Sequence, residues 1–107
     1  MTLCPACNEP IRDGVYQANW CAAFAVAEVV RRHPKITGAE IARLSGMAYE
    51  RVVKAIPKAR ALSLIYVDSD EPTSAGYRRY RFIPANRPEH QQQLEERHRE
   101  QVREWRR

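Results

Sequence analysis

Thiol sulfurs and clustered guanidinium groups are the side chains of this sequence with chemistry to offer. Cys4 and Cys7 make a Cys-x-x-Cys turn around Pro5, with Pro10 just beyond, and Cys21 follows fourteen residues later. Two thiolates two residues apart can grip one side of a tetrahedral ion, and zinc is the metal that such sulfur sets most often hold. Cys21 is expected in the first turn of a helix, where the helix N-terminus favours the thiolate that a metal requires. Cys4, Cys7 and Cys21 are therefore candidate ligands of a structural zinc, with no catalytic role.

A fourth ligand is missing from the local pattern. His33 is twelve residues past Cys21 in the chain. On a continuous helix that separation is about 18 Å, too far for one site. His90 and His98 reach the site only if the C-terminal segment docks near the N-terminus, and Asp13 is a weaker candidate. The alternative is that Cys21 is a small buried apolar residue and the Cys-x-x-Cys an exposed turn. The odd count of three cysteines argues against a disulfide framework and for a reducing, cytoplasmic compartment. The N-terminus shows no basic region followed by an apolar one, so no signal peptide is expected. The longest apolar run, Trp20 to Val30, carries Glu28 and is too short to span a membrane.

Catalysis finds little support. There is no glycine-rich phosphate loop, paired-histidine metal motif or nucleophile elbow, and the Cys-x-x-Cys does not join a strand to a helix. The chain is expected not to be an enzyme, and no small-molecule substrate is evident. It is basic, with a net charge of +5 over 107 residues. Between Arg31 and Arg81 eleven Lys/Arg face five Asp/Glu. The excess thus lies in one segment, where it could meet phosphates.

The elements around that segment can be placed from pattern. Residues 1–18 form an N-terminal arm rich in turn signals. Asn19 can cap a helix to His33, apolar on most sides and ended by Pro34. Thr37-Gly38-Ala39-Glu40 matches a capping box, and the short helix it starts should bury Ile41 and Leu44 and end at Gly46. A further helix from Ala48 should bury Val52, Val53 and Ile56 and end or kink at Pro57. Leu62–Val67 and Tyr77–Ile83 read as strands around a loop carrying Asp68, Asp70, Glu71, Pro72 and Gly76. Residues 19–84 are thus one domain. Residues 85–107 are a charged helical tail whose few apolar residues include Leu94, Val102 and Trp105.

The order helix, turn, helix, hairpin resembles winged helix-turn-helix regulators, broadly of the MarR or Lrp kind. The residues that carry the resemblance are Ala39-Glu40-Ile41-Ala42-Arg43-Leu44-Ser45-Gly46-Met47, Val52-Val53-Lys54-Ala55-Ile56 and Leu62-Ser63-Leu64-Ile65. Ser63 stands where that family usually has glycine, and Pro57 interrupts the helix that would read DNA. The N-terminal cysteines resemble a zinc knuckle. The fold expected is mainly α with a small β-hairpin wing (α+β): a winged helix-turn-helix with a three-helix core and a C-terminal helix.

This resemblance implies a DNA-binding regulator, repressor-like, acting on double-stranded DNA as a homodimer. The outer face of the second helix of the motif would carry Tyr49, Glu50, Arg51, Lys54 and Lys58. Arg51 could fork onto guanine, Glu50 accept from cytosine, and Tyr49 meet a thymine methyl or a phosphate, while Lys54 and Lys58 suit phosphates. Arg78, Arg79 and Arg81 on the wing could follow a backbone or enter a minor groove. The C-terminal helix and Trp105 are candidates for the dimer contact. Excision or replication proteins use the same architecture. The competing expectation is a protein-interaction module with a zinc knuckle and no DNA readout, favoured by the acidic loop, Pro57 and the uncapped reading helix.

Overall fold

The computed structural model describes residues 3–11, 16–72 and 78–105, with the side chains of 16–19, Arg78 and Trp105 outside the description. Asp13, Gly76 and Tyr77, named above, lie outside the described residues. Among the described residues the fold is α+β, with four helices and a three-stranded antiparallel sheet. No helix there is long and apolar enough to cross a membrane.

Helix α1 (Tyr16–Arg32) is the core element. Cys21, Ala23, Phe24, Val26 and Val30 are almost wholly buried, as are the intervening alanines. Neighbours therefore surround the helix, as its apolar composition requires. It begins earlier than expected. Asn19 lies inside the helix rather than capping it, and Cys21 is the sixth helical residue. That places the thiol beyond the first turn, where the helix dipole acts most strongly.

Strand β1 (Ile36–Thr37) leads directly into α2 (Gly38–Ser45). Thr37 closes the capping box as the sequence indicates. Its hydroxyl oxygen accepts from the Glu40 N–H at 3.3 Å, and the Glu40 carboxylate accepts from the Thr37 N–H and hydroxyl. Those two bonds hold the Glu40 carboxyl below its ordinary range. The helix ends at Gly46, which has a positive, left-handed φ. Glycine adopts that conformation without a Cβ clash. Ile41 is buried, but Leu44 is 49% exposed and does not join the core.

Helix α3 (Tyr49–Ala61) packs on α1 through Val52, Ala55 and Ala59. The adjacent Val52 and Val53 compete for one side of the helix. Val52 takes the core and Val53 is 47% exposed, against the expectation that both are buried. The helix also runs through Pro57. Pro57 and Val53 one turn earlier are both exposed. The Val53 carbonyl that loses its donor can therefore turn to water.

The end of α3 explains an oddity of the sequence. Ser63 has a positive, left-handed φ, and the N–H groups of Ser63 and Leu64 bond the carbonyls of Arg60 and Ala59. This is the paired pattern of a left-handed helix stop. The position where the resembling family has glycine does require a left-handed residue. Ser63→Gly should therefore raise stability by about 0.5–1 kcal/mol, read by chemical denaturation.

Strands β2 (Ile65–Pro72) and β3 (Arg78–Pro84) form the hairpin, and β3 is the central strand because β1 pairs on its other edge. The strand β2 extends through residues assigned above to a loop. A bulge between Val67 and Ser69 leaves Asp68 as the extra residue, and Glu71 then lies across from Arg79. Helix α4 (Pro88–Trp105) completes the chain. Pro88 takes its first helical position, where a missing N–H costs nothing.

Candidate metal centre and nucleic-acid face

The N-terminal arm folds back on itself before α1. Leu3 bridges Pro10, the Cys4 N–H donates to the Glu9 carbonyl at 2.8 Å and the Asn8 N–H to the Cys4 carbonyl at 2.8 Å. This tight turn leaves Cys4 buried and Cys7 half-buried, and the N–H groups of Ala6 and Cys7 point at the Cys4 sulfur. Cys21 comes from α1, on the side facing the arm.

The fourth group is His98, from α4. Leu94, His98 and Val102 are all buried. They stand one turn apart on one stripe of an otherwise polar helix. His98 is 1% exposed. Its ring stacks on Trp20 at 6.0 Å between centroids and sits tilted against Phe24 at 5.4 Å. Nearby, Arg99 Nη1 donates to the Ala6 carbonyl at 3.2 Å, which joins α4 to the arm, and His90 Nε2 meets the Leu62 carbonyl at 2.9 Å. The C-terminal segment therefore packs on its own chain, and the docking that His98 needed is present.

The ligand atoms of Cys4, Cys7, Cys21 and His98 all lie within 4.8 Å of one another. Cys7 Sγ is 3.7 Å from Cys21 Sγ, and His98 Nε2 is 3.8 Å from Cys4 Sγ and 3.2 Å from Cys21 Sγ. A zinc ion with bonds of about 2.3 Å to sulfur and about 2.0 Å to nitrogen has tetrahedral edges of about 3.8 Å and about 3.5 Å. The observed spacings are close to those edges, and far too long for a disulfide. A set of three sulfurs and one imidazole, with no carboxylate, is chemically suited to zinc. These four residues could hold such a metal.

The electrostatics agree with that use. The Cys4 thiol is lowered to about 4, chiefly because Cys21 donates a hydrogen bond to its sulfur, with His98 and the arm N–H groups assisting against burial. Cys21 is pushed strongly up because it holds the shared proton, and burial and the charges of Cys4 and Cys7 push the same way. Three thiolates so close and so dry repel one another unless a cation joins them.

The residues singled out for DNA separate into groups. Tyr49, Glu50 and Lys54 are exposed on the outward side of α3, and Arg79 is exposed on β3. Lys58 turns toward α1, its Nζ 5.0 Å from the ring of Trp20, the same indole on which His98 stacks. Arg51, seven residues earlier on the same side, is half-buried. Arg81 is largely structural: Nη1 donates to the Lys35 carbonyl at 3.1 Å and Nε to Glu71 at 3.3 Å. Asp70 and Glu71, assigned from the sequence to a loop, thus lie in β2 beside the arginine strand. At the end of α1, Arg31 and Arg32 pair with Glu28 at 2.6 Å and 3.0 Å. Burial raises Glu28, but the two arginines outweigh it and keep the carboxyl ionised below its ordinary range.

No family model, curated protein or solved structure matches this chain.

Proposed function

We propose that this chain is a small winged helix-turn-helix protein that binds double-stranded DNA and controls transcription as a repressor-like regulator. In this reading α2 and α3 form the helix-turn-helix, α3 enters the major groove, and Arg79 on the β2–β3 hairpin meets a neighbouring phosphate. The observation that carries it is the outward side of α3, where Tyr49, Glu50 and Lys54 stand exposed on a helix anchored from behind by Val52, Ala55 and Ala59. Arg81 and Lys58 act mainly as supports of the hairpin and of α3.

Zinc at Cys4, Cys7, Cys21 and His98 is structural in the same proposal. All four ligands belong to the protein, so a tetrahedral ion has no open position for a substrate. The ion would tie the arm, α1 and α4 together behind the DNA-reading side. A homodimer on a two-fold site would supply the affinity that one such domain lacks.

Retention on random-sequence duplex DNA at low salt, followed by a salt titration, tests the DNA reading. Binding should weaken steeply with salt, as it does when several phosphates release counterions. Absence of retention even at low salt would reject it and give the outward side of α3 to a protein partner.

A further inference from the structure

The exposure least expected from the sequence is apolar. Tyr49, Val53 and Tyr80 are 57%, 47% and 43% exposed. All three border one open groove of about 440 Å³ between α3 and β3, together with Ile56 and Pro57. Arg60 and Arg79 line the same groove, and the exposed Lys54 adjoins Val53 in sequence. Water alone would favour a polar side chain at Val53, since the position contributes nothing to the core. The strip suits a partner that sets apolar groups beside dense negative charge.

The major groove of DNA has that pattern, because each thymine carries a C5 methyl a short way from the phosphates. We infer that this strip reads thymine methyl groups, with Val53 as the principal contact and Tyr49 and Tyr80 flanking it. The inference rests on α3 entering the major groove. With about 100° of turn per residue, Val53 lies closer to the outward direction set by the exposed Tyr49, Glu50 and Lys54 than Arg51 does. A valine side chain has no hydrogen-bonding atom, so it can discriminate at a base edge only through an apolar contact. Lys54, Arg60 and Arg79 meet phosphates alongside and carry no sequence information.

The test begins with duplexes selected for binding from a random pool. Each thymine of the best site is then replaced in turn by deoxyuridine, which keeps every hydrogen bond and removes only the methyl. One or two positions should lose affinity by about fourfold each, the effect of one buried methyl. In Val53→Ala, whose folding is checked by its thermal melt, thymine and uracil should bind equally at those positions. Equal binding of both bases by the unaltered protein overturns the inference while leaving DNA binding intact. A thymine preference that persists in Val53→Ala, or a selected site without thymine, overturns it as well. Failure to retain any duplex rejects the DNA-binding proposal itself, a result distinct from indifference to the methyl.

Discussion

Stripping the metal with a strong chelator is expected to lower the melting temperature by about 20 °C, from two estimates taken together. An ion present at a thousand times its dissociation constant stabilises the folded state by about 4 kcal/mol. For a chain of this size each kcal/mol corresponds to roughly 4–8 °C. The loss should be uneven. The α1–α3 core keeps Phe24, Val26, Val30, Ile41 and Val52, which owe nothing to the metal. The arm rests on Ala6 and Ile11 besides its cysteines, and α4 on Leu94 and Val102 besides His98. Both should open first, which limited proteolysis would register as early cleavage among the arginines of α4. His98→Ala and Cys21→Ser should reproduce the chelator's effect. Metal analysis of protein purified without added metal should give about one zinc per chain. If the cysteines were only packed thiols, the chelator would leave the melt unchanged and the metal content would fall well below one.

Lys54→Glu should weaken DNA binding roughly tenfold or more at low salt on every sequence alike, because a phosphate contact becomes a repulsion. Lys54→Ala should weaken binding less and reduce the slope of log affinity against log salt by about one. Lys58→Ala should have a smaller effect on affinity, since that ammonium lies over Trp20. Arg81→Ala should act on stability instead, through loss of the Lys35 and Glu71 contacts. Titrations of these variants against one duplex, alongside their thermal melts, separate the two kinds of effect. Equal DNA affinity for Lys54→Glu and the unaltered protein would remove the outward side of α3 from the interface.

Local signals in the sequence were accurate where the structure is locally determined. Thr37 and Glu40 bond each other as their spacing requires, and Gly46 occupies the left-handed position at the end of its helix. Signals that depend on competition failed. Two adjacent valines both suit a helical core pattern, and only the placement of α1 against α3 decides that Val52 wins. The sequence reads Pro57 as an end or a kink, and the helix does not end there, because the solvent side on which Pro57 sits is set by tertiary packing. Strand β1, of two residues, is too short to leave a pattern and exists because β3 offers it an edge.

The candidate metal set was half legible. Cys4, Cys7 and Cys21 stand out by spacing, whereas His98 comes from a helix seventy-seven residues beyond Cys21. A signal was nonetheless present. Leu94 and Val102 flank His98 by one turn on each side, so the histidine lies in the middle of the apolar stripe of a polar helix. A histidine in that place must be buried, and a buried imidazole needs a partner.

Thr37 has two employments: it pairs with Arg81 across the sheet and also begins α2. The hairpin is thereby fastened to the helical pair through a single residue with no intervening linker. A duplex touched by both parts would meet a gauge of fixed span rather than two independent fingers. Discrimination would then extend to base steps that neither part contacts, since only DNA whose groove width or bend matches the span could satisfy both at once.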